Sequence, residues 1–572
     1  MPAWKLPNST RVRLRDFVKS AAFVLSSRGR ILLRPASRPP TPREGSSPMD
    51  YRTRFAPNPT GYLHIGGVRT AYFNFLFSRQ NGGQYLLRID DTDAARNVQE
   101  ALQPILDGFR WLGLTWDEGP EVGGPHEPYF QSQRVERHKQ AVEQLLRSGH
   151  AYRDYATPEE LQQLRGEAEK AGKPFLYDRR YMGDTSEKAA AFEAEGRTAV
   201  VRLKMPREGT CNFVDLVRGP VEFAWEGEAD HVIQRADGSC LYHLASAVDD
   251  HDLRVSHVIR AVEHLPNTPR QIFITQSLGY ELPNFAHLPY VAETGGTAKL
   301  SKRKLDKYLK NPAFGELYSL GRSIAQRMRM DVAPETFNPV VVDFYREVGF
   351  LPVAVLNYLL LLGWSLDETT EHFSVEDAIR QFSIERVHKS PASFDPQKLM
   401  AFQTRWMGTL SVDEKYAMIL PMLQRALWAP QEVDDRKRRW LQRVIELAAD
   451  RIRIAGDIFQ FNELFEGDEE YPLDESLLRK RLGDDATQST LSQFVDTLID
   501  VEDWRAETIE KHLNAFVESR GIKPGLLLNA LRVSLTGKSS GLAVFEYIEL
   551  LGPDSVRTRV DRAVREAVAI AR

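Results

Sequence analysis

The stretch YRTRFAPNPTGYLHIGGVRTAYFNFLFSRQNGGQYLLRIDDTD, residues 51–93, decides the fold of this chain. Residues 51–56 form a short apolar run typical of a buried strand, and the prolines and glycine of residues 57–61 break that run into a turn. From Gly66 onward apolar residues recur at helical spacing up to Gly82, and residues 84–89 predict a second strand. This order predicts the opening of a doubly wound, parallel α/β sheet that binds a nucleotide.

The run His64-Ile65-Gly66-Gly67 lies in the predicted turn between strand and helix. Glycines at this point let a ligand approach the backbone closely, and a helix N-terminus offers unpaired N–H groups that suit a phosphate. The run is not a P-loop, but His64 could donate a further hydrogen bond to phosphate oxygens. A tight turn capped by the histidine is the alternative interpretation, and this short motif alone does not decide between the two.

A basic run, Lys299-Leu300-Ser301-Lys302-Arg303, follows the loop-forming residues 294–297. A mobile basic loop can close over a pyrophosphate and neutralise its charge, with the Ser301 hydroxyl binding a phosphate oxygen. Taken by itself, such a run is usually a solvated surface.

Two arginines lie at the ends of predicted strands and are candidates for binding a substrate. Residues 255–260 predict a strand, so Arg54 and Arg260 lie at the ends of separate strands, where an open α/β sheet binds its ligand. Two guanidinium groups that converge there would suit a dicarboxylic substrate, because each matches a carboxylate bidentately. A surface ion pair is the alternative for either arginine.

The composition restricts the class of protein. The 572 residues, 42% of them hydrophobic, suffice for several domains, and a net charge of −4 excludes a globally basic nucleic-acid binder. Any RNA-binding surface must therefore be a local basic face. Cys211 and Cys240 are the only cysteines, so we expect a reducing compartment, no disulfide framework and no structural zinc site. Apolar runs are too short for a membrane-spanning helix, so we expect no membrane association.

Residues 1–49 differ from the rest of the chain. They contain ten lysines and arginines against Asp16 and Glu44, with apolar residues interspersed among the cations of residues 11–25. An arginine-rich, acid-poor and amphipathic segment is typical of an organelle transit peptide, and the Pro/Ser-rich residues 34–48 would link it flexibly to the first strand. A disordered basic arm that assists RNA binding is the alternative.

Four blocks together resemble a known family. RFAPNPTGYLHIGG (54–67), IDDTD (89–93), LYHLASAVDDHDLRVSHVIRAVEHL (241–265) and KLSKR (299–303) occur in the order found in class I glutamyl-tRNA synthetases of the bacterial and mitochondrial type. The resemblance implies a Rossmann-type α/β catalytic domain with a parallel sheet, an α+β insertion, and all-helical C-terminal domains. Residues 523–541 resemble a late block of the same family, and the glutaminyl enzymes would be expected to carry β-barrels instead.

The resemblance also implies roles for individual residues, with Mg-ATP as a substrate and no resident metal. The residues implied in catalysis are His64, Lys299 and Lys302. Those implied in ATP binding are Pro59, Thr60, His64, Gly66, Gly67, Lys299, Ser301 and Lys302. Those implied in glutamate binding are Arg54, Asn58, Asp90, Tyr242, Ser246 and Arg260.

Three of these residues depart from the family pattern. Asn58 stands where the family has serine, Ser246 where it has asparagine, and Asp90 where it has glutamate. If Asn58 and Ser246 face one pocket, the exchange conserves both a hydroxyl and an amide and could be compensatory. The shorter Asp90 would need a water molecule or a small shift of the turn.

Together with the character of residues 1–49, the resemblance implies six parts of the chain. These are a transit peptide and linker (1–49), the first half of the catalytic domain (50–128), an insertion that binds the tRNA acceptor end (129–238), the second half with the basic loop (239–310), a stem-contact region (311–395) and a helical anticodon-binding region (396–572). For the insertion, an ordinary α+β domain without a tRNA-binding role is the alternative. Residues 305–339 contain no recognised family block.

The function expected from this resemblance is that of a monomeric ligase in the mitochondrial matrix. It would activate L-glutamate with ATP and transfer it to tRNA(Glu), and possible charging of tRNA(Gln) is left open. A non-catalytic RNA-binding paralogue is the alternative from a different class, although it should have lost His64 and the loop lysines. A truncated relative that modifies a nucleoside would lack the helical residues 400–572.

Overall fold

The computed structural model describes residues 51–59, 61–92, 102–172, 175–301 and 304–571. The predicted transit peptide and two predicted site residues, Thr60 and Lys302, lie outside the described residues. Within the described ranges, no helix is both long and apolar enough to cross a lipid bilayer.

The strands are short and occur mostly in the first half of the chain. In chain order they are β1 (Arg52–Phe55), β2 (Gln84–Leu87), β3 (Ala151–Asp154), β4 (Val200–Leu203), β5 (Thr210–Asp215), β6 (Gly219–Ala224), β7 (Val232–Gln234), β8 (His257–Ala261), β9 (Asn284–Leu288), β10 (Val291–Ala292) and β11 (Ala392–Ser393).

A six-stranded sheet with the order β2-β1-β8-β9-β5-β6 forms the centre of the catalytic region. Strand β1 runs parallel to both β2 and β8, so that Thr53 pairs with Tyr85 on one side and with His257 on the other. The neighbours of β1 therefore come from distant parts of the chain, and the sheet has its topological switch point at the carboxyl end of β1. The predicted Rossmann-type parallel sheet is confirmed.

The insertion predicted at residues 129–238 contributes to two sheets. Strands β3, β4 and β7 form a separate antiparallel sheet, whereas the hairpin of β5 and β6 extends the central one. Strand β5 lies parallel to β9, where Asp215 pairs with Phe285 and the Leu216 N–H donates to the Phe285 carbonyl at 2.8 Å. Alternating apolar residues predict a strand but not its partner, so the sequence did not indicate this extension.

Helices cover the sheet and make up most of the C-terminal half. Those that precede residue 396 are α1 (Ile65–Gln80), α2 (Leu102–Trp111), α3 (Val135–Arg147), α4 (Pro158–Lys170), α5 (Ser186–Ala194), α6 (Tyr242–Asp252), α7 (Thr268–Ser277), α8 (Leu305–Tyr308), α9 (Pro312–Arg327), α10 (Val342–Val348), α11 (Pro352–Leu361) and α12 (Val375–Gln381).

The C-terminal region is helical, as predicted. Its helices are α13 (Pro396–Gly408), α14 (Val412–Arg425), α15 (Asp435–Ala448), α16 (Glu475–Leu482), α17 (Asp485–Thr497), α18 (Ala506–Arg520), α19 (Pro524–Thr536) and α20 (Val544–Ala571). The last of these contains a kink at Gly552, where two helical segments meet at a backbone φ of 80° in the left-handed region. One hydrophobic cluster extends from α1 through this region, and a second lies under the insertion.

Buried charges hold the base of β1 in place. Arg52 donates to both carboxylate oxygens of Glu118 at 2.8 and 3.0 Å, and to the Leu253 carbonyl at 2.9 and 3.1 Å. The Tyr129 hydroxyl donates to the same carboxylate at 2.8 Å. Glu118 is only 3% exposed, so its charge depends on these donors. The contacts link β1 to the loop after α2 and to the end of α6.

Replacing Glu118 by glutamine should destabilise the catalytic region by about 3 kcal/mol, because it leaves the buried Arg52 guanidinium without a compensating charge. The measurement is the first transition of the full chain in chemical denaturation. Glu136→Gln is the matched control, since Glu136 is solvent-exposed and its ion pair with Lys139, 2.8 Å away, lies at the surface; the transition midpoint should not change. Equal effects of the two changes would contradict the structural role assigned to Glu118.

Candidate active site

A cavity of about 1200 Å³ opens at the carboxyl ends of β1 and β8. Its walls come from the end of each of these strands, the N-terminus of α1, the start of α6 and the hairpin that precedes α8. The predicted site residues on these walls are Arg54, Asn58, His64, Gly66, Gly67, Asp90, Tyr242, Arg260, Lys299 and Ser301. The two sequence motifs, which are far apart in the chain, thus contribute to one cavity at the switch point of the sheet.

Two other described members of the predicted set are not on these walls. Pro59 is buried next to the turn, and Ser246 is buried within α6, with its hydroxyl 3.5 Å from Arg88 Nη2. Asn58, by contrast, is exposed at the cavity. The structure therefore does not place Asn58 and Ser246 together on the cavity wall. The functional roles of all these residues stay predictions.

His64 is the residue that caps α1. Its backbone is extended, and its Nδ1 accepts a hydrogen bond from the Gly66 N–H at 2.9 Å. In a neutral imidazole the proton then resides on Nε2, so this nitrogen is a donor on the side of the ring away from the cap. The two interpretations of the motif, a cap and a phosphate donor, thus use different nitrogens of one ring and are compatible.

Gly66 leaves room for this capping ring. A Cβ atom at Gly66 would lie 3.1 Å from His64 Nδ1, which is closer than side-chain contacts normally allow. At Gly67 the same atom would make an ordinary contact, 3.5 Å from the Phe55 ring. Close packing in the structure therefore explains the first glycine. The N–H groups of residues 65–68 all have acceptors, which are the Val340 carbonyl, His64 Nδ1 and the His64 carbonyl, so the unpaired N–H groups expected at this helix start are not found.

The basic run follows a hairpin on the opposite wall. Ala292 pairs with Lys299, and the Leu300 N–H donates to the Val291 carbonyl at 2.9 Å. The Lys299 ammonium group contacts the carboxylate of Glu263, just after β8. Burial favours the neutral form of Glu263, but the hydrogen bond and charge of Lys299 outweigh it and lower the pKa of Glu263. The first loop cation is thus held by a carboxylate on the cavity wall.

Arg54 is paired inside the protein. Its Nε and Nη2 donate to the two carboxylate oxygens of Asp250 at 3.0 and 3.2 Å. Asp250 also accepts a hydrogen bond from Arg88 Nη1 at 2.5 Å. Burial opposes ionisation of Asp250, but the two guanidinium groups outweigh it and lower its pKa. Asp250 therefore neutralises part of the charge of Arg54, which the sequence predicts to be available for a carboxylate of the substrate.

Asp90 lies at the edge of this group. It accepts a hydrogen bond from Arg88 Nε at 2.7 Å, and only 7% of its surface is exposed. Burial raises the pKa of Asp90 more than the neighbouring guanidinium groups lower it. A cationic ligand in the cavity would favour its ionised form, and the resemblance implies such a partner, because it places residue 90 at the α-amino group of the amino acid.

Arg260 differs from Arg54 in having neutral hydrogen-bond partners. Its Nη1 donates to Gln271 Oε1 at 2.6 Å, its Nη2 to Thr268 Oγ1 at 2.9 Å, and its Nε to His287 Nε2 at 3.1 Å. No described carboxylate forms an ion pair with it. Burial lowers the pKa of Arg260 to about 10, so the group is charged at neutral pH but incompletely solvated. This guanidinium can pair with an anionic ligand.

Sequence reasoning assigned no role to Arg88, Asp250, Glu263 or His287. A signal for Arg88 exists, because a charged residue within the apolar run YLLRI must find a buried partner. Asp250 lay within a quoted block without a role of its own. Nothing local distinguishes Glu263 and His287 from ordinary charged or strand residues. Among the described residues, no group of three or more His, Cys, Asp and Glu side chains could hold a metal ion; the absence of zinc stays a prediction.

Comparison with known proteins gives consistent matches along the chain. The family model for the catalytic domain of class I tRNA synthetases (E and Q) matches residues 50–320 and 337–401, and that for an anticodon binding domain matches residues 414–564. The segment that the catalytic-domain match leaves out, residues 321–336, is shorter than the 305–339 stretch without recognised blocks.

Individual relatives cover nearly the whole chain. The glutamate–tRNA ligase of Moorella thermoacetica is 37% identical over 514 residues, which are 90% of this chain and 98% of that protein. The glutamate–tRNA ligase of Halalkalibacterium halodurans is 37% identical over 89% of this chain and 98% of its own length. A solved structure of a glutamate tRNA ligase from Elizabethkingia meningosepticum, in complex with its amino acid, is similar with a TM-score of 0.77 and 31% identity over 90% of this chain and 99% of that one.

The two uses of the His64 ring can be separated by mutation. Asparagine is a good N-cap, but it has no donor at the position of Nε2. His64→Asn should therefore keep helix α1 intact and lower ATP–pyrophosphate exchange by about 10²–10³-fold. His64→Ala should lower the exchange similarly and also cost about 1 kcal/mol of stability, because it removes the cap. Exchange rates and thermal unfolding of both variants provide the test. Wild-type exchange by His64→Asn would show that the ring only caps the helix.

Proposed function

The chain belongs to the glutamate–tRNA ligases among the class I tRNA synthetases, and we propose that it activates L-glutamate with Mg-ATP and charges tRNA(Glu) in mitochondrial translation. The observation that supports this activity most directly is the cavity at the switch point of the sheet. Its walls combine the capping ring of His64, the first loop cation Lys299 and the guanidinium of Arg260, which forms no ion pair with a carboxylate of the described residues.

In the first step, a carboxylate oxygen of glutamate attacks the α-phosphorus of Mg-ATP. An oxygen–phosphorus bond forms, the bond from phosphorus to the pyrophosphate oxygen breaks, and glutamyl-adenylate and pyrophosphate result. The positive end of the α1 dipole and the Nε2–H of His64 stabilise negative charge on the phosphates, and Lys299 and Lys302 neutralise the departing pyrophosphate. Lys299 must leave Glu263 to do so, which requires the loop to move.

Recognition of glutamate depends on charge. Arg260 is buried with neutral partners, so a side-chain carboxylate supplies the missing counter-charge and accepts charge-assisted hydrogen bonds. A glutamine amide supplies no charge and places donors against the guanidinium. Arg54, whose charge is shared with Asp250, attracts the side-chain carboxylate more weakly. Tyr242 and Asp90 also line the cavity, and the resemblance implies that Tyr242 contacts the glutamate side chain and Asp90 the α-amino group.

In the second step, a hydroxyl of the terminal ribose of tRNA attacks the acyl carbon of the adenylate. The ester bond forms, the bond to the phosphate oxygen breaks, and AMP leaves. Neither step needs a nucleophile from the protein, because orientation and charge stabilisation suffice. The match of residues 414–564 to an anticodon binding domain supports a tRNA partner whose anticodon lies against the C-terminal helices. Charging of tRNA(Gln) as well remains the second candidate.

Aminoacylation assays test this proposal. The purified chain should charge tRNA(Glu) with glutamate and should not use glutamine. Arg260→Gln should raise the KM for glutamate by about 10–100-fold, since it removes a charge-assisted contact, and should reduce discrimination against glutamine. Arg137→Gln is the matched control, because Arg137 pairs with Asp252 outside the cavity. A wild-type chain that binds tRNA but charges neither tRNA would favour the non-catalytic paralogue, and equal charging of tRNA(Gln) would establish the broader specificity.

We propose the mitochondrial matrix as the location because of the basic, acid-poor character of residues 1–49. Fused to a fluorescent reporter, these residues should direct it to mitochondria. The same fusion with Arg11, Arg13 and Arg15 replaced by glutamine should stay in the cytosol, because the amphipathic segment loses its charge. If the native fusion also stays in the cytosol while removal of residues 1–49 weakens tRNA binding, the segment is a basic RNA-binding arm instead.

A further inference from the structure

A buried chain of hydrogen bonds crosses three adjacent strands of the central sheet. Asp215 ends β5, His287 lies in β9, and Arg260 lies in β8. His287 Nδ1 is 2.6 Å from Asp215 Oδ2, and Arg260 Nε donates to His287 Nε2 at 3.1 Å. None of the three residues is more than 5% exposed. The catalytic function as derived so far uses only Arg260, so the two residues behind it need an explanation.

The carboxylate of Asp215 has no freedom to rotate. Its Oδ1 accepts hydrogen bonds from the backbone N–H groups of Val217 at 2.9 Å and Arg218 at 2.8 Å, and both oxygens accept from the His287 N–H at 3.1–3.2 Å. The turn of the β5–β6 hairpin therefore fixes the carboxylate, and Oδ2 faces the imidazole. An ionised carboxylate only accepts hydrogen bonds, so the nitrogen opposite it must carry the proton.

This arrangement determines the tautomer of His287. With the proton on Nδ1, the neutral ring has a lone pair on Nε2, and that lone pair accepts the N–H of Arg260. Burial favours the neutral ring and lowers the pKa of His287, against the opposing influence of Asp215. The other tautomer would place an N–H on Nε2, opposite the N–H of a guanidinium that has no acceptor atoms.

The Nε contact completes a set that defines the plane of the Arg260 guanidinium. Gln271 and Thr268 hold its two terminal nitrogens, and Thr268 Oγ1 also lies 3.2 Å from His287 Nε2. Without the acceptor at Nε, the group could rotate about its last side-chain bonds and lose its orientation toward the cavity. Bidentate pairing with a carboxylate requires that plane to be fixed.

We infer that Asp215 and His287 are positioning residues for substrate recognition: Asp215 holds His287 in the Nδ1–H tautomer, and His287 orients Arg260 toward the side-chain carboxylate of the amino-acid substrate. The inference rests on the proposed function for the identity of that substrate. It assigns a role in the catalytic centre to the β5–β6 hairpin of the insertion, because Asp215 at the end of β5 acts on Arg260 through His287 of the neighbouring strand β9.

The central experiment changes Asp215 to asparagine. Asp215→Asn keeps the size of the side chain and the oxygen that the backbone N–H groups bind, but its amide can donate to His287 Nδ1 and shift the ring proton to Nε2. The KM for glutamate in aminoacylation should rise about tenfold or more, the loss expected for a misoriented charged contact, while the KM for ATP stays unchanged. An unchanged KM for glutamate would overturn the inference.

Two replacements of His287 separate orientation from packing. In His287→Gln the amide oxygen can occupy the place of Nε2 and accept from Arg260, whereas in His287→Asn the shorter amide can bond to Asp215 but cannot reach Arg260. Glutamine should therefore retain more glutamate affinity than asparagine, and Asp215→Asn should add no further loss to His287→Asn. Equal losses in both His287 variants, or additive losses in the double variant, would overturn the inference.

The matched control is Asp457→Asn. Asp457 is also a fully buried aspartate that accepts backbone N–H bonds, from Arg453 at 2.8 Å and Ile454 at 3.1 Å, but it lies in the C-terminal helical region. The KM for glutamate should not change in this variant. A rise equal to that of Asp215→Asn would show that loss of any buried aspartate charge suffices, and would overturn the inference.

A direct view of the tautomer comes from ¹⁵N-histidine spectra of the full chain, with the His287 signal assigned by its absence in His287→Asn. Wild type should show the proton on Nδ1, and Asp215→Asn should show it on Nε2. An Nε2–H tautomer in wild type would overturn the inference whether or not the chain charges tRNA. A wild-type chain that fails to use glutamate would instead contradict the proposed function, so the two failures are distinguishable.

Discussion

The structure of the active site depends on one buried carboxylate between two guanidinium groups. Asp250, in α6, accepts hydrogen bonds from Arg54 in β1 and Arg88 just after β2, residues 196 and 162 positions away in the chain. An ion group of this kind contributes little net stability, because its desolvation offsets the attraction, but it penalises every arrangement that leaves a charge unpaired. It therefore fixes α6 against the first two strands and sets the position of the cavity at the end of β1.

The same pairing distributes charge within the cavity. Because Arg54 shares its charge with Asp250, Arg260 is the one of the two arginines predicted to bind glutamate whose described partners are all neutral. A carboxylate ligand can therefore restore at Arg260 an interaction that burial has removed, whereas at Arg54 it must compete with Asp250. The sequence predicts two arginines at the ends of separate strands, and the structure gives them different partners.

Parts of the chain outside the catalytic halves contribute to the site through the sheets. The β5–β6 hairpin of the insertion brings Asp215 behind Arg260, and β10, at the start of the loop hairpin, pairs with β11, which lies within residues 311–395. The Ser393 hydroxyl donates to the Glu293 carbonyl at 2.8 Å and strengthens this connection. Strand β11 leads directly into α13, so the loop that contains Lys299 is attached to the helical region.

Local patterns in the sequence determined the elements and the family. The strand–turn–helix unit, the helical C-terminal region and the two motifs around His64 and Lys299 were predictable, because periodicity, turn residues and short motifs depend on neighbouring positions. Tertiary structure alone decided which guanidinium is neutralised, that Ser246 is buried while Asn58 is exposed, and that a hairpin of the insertion joins the central sheet. These properties depend on which distant residues share a buried environment, since the cost of burying a charge is set by its partners in space and not by its neighbours in sequence.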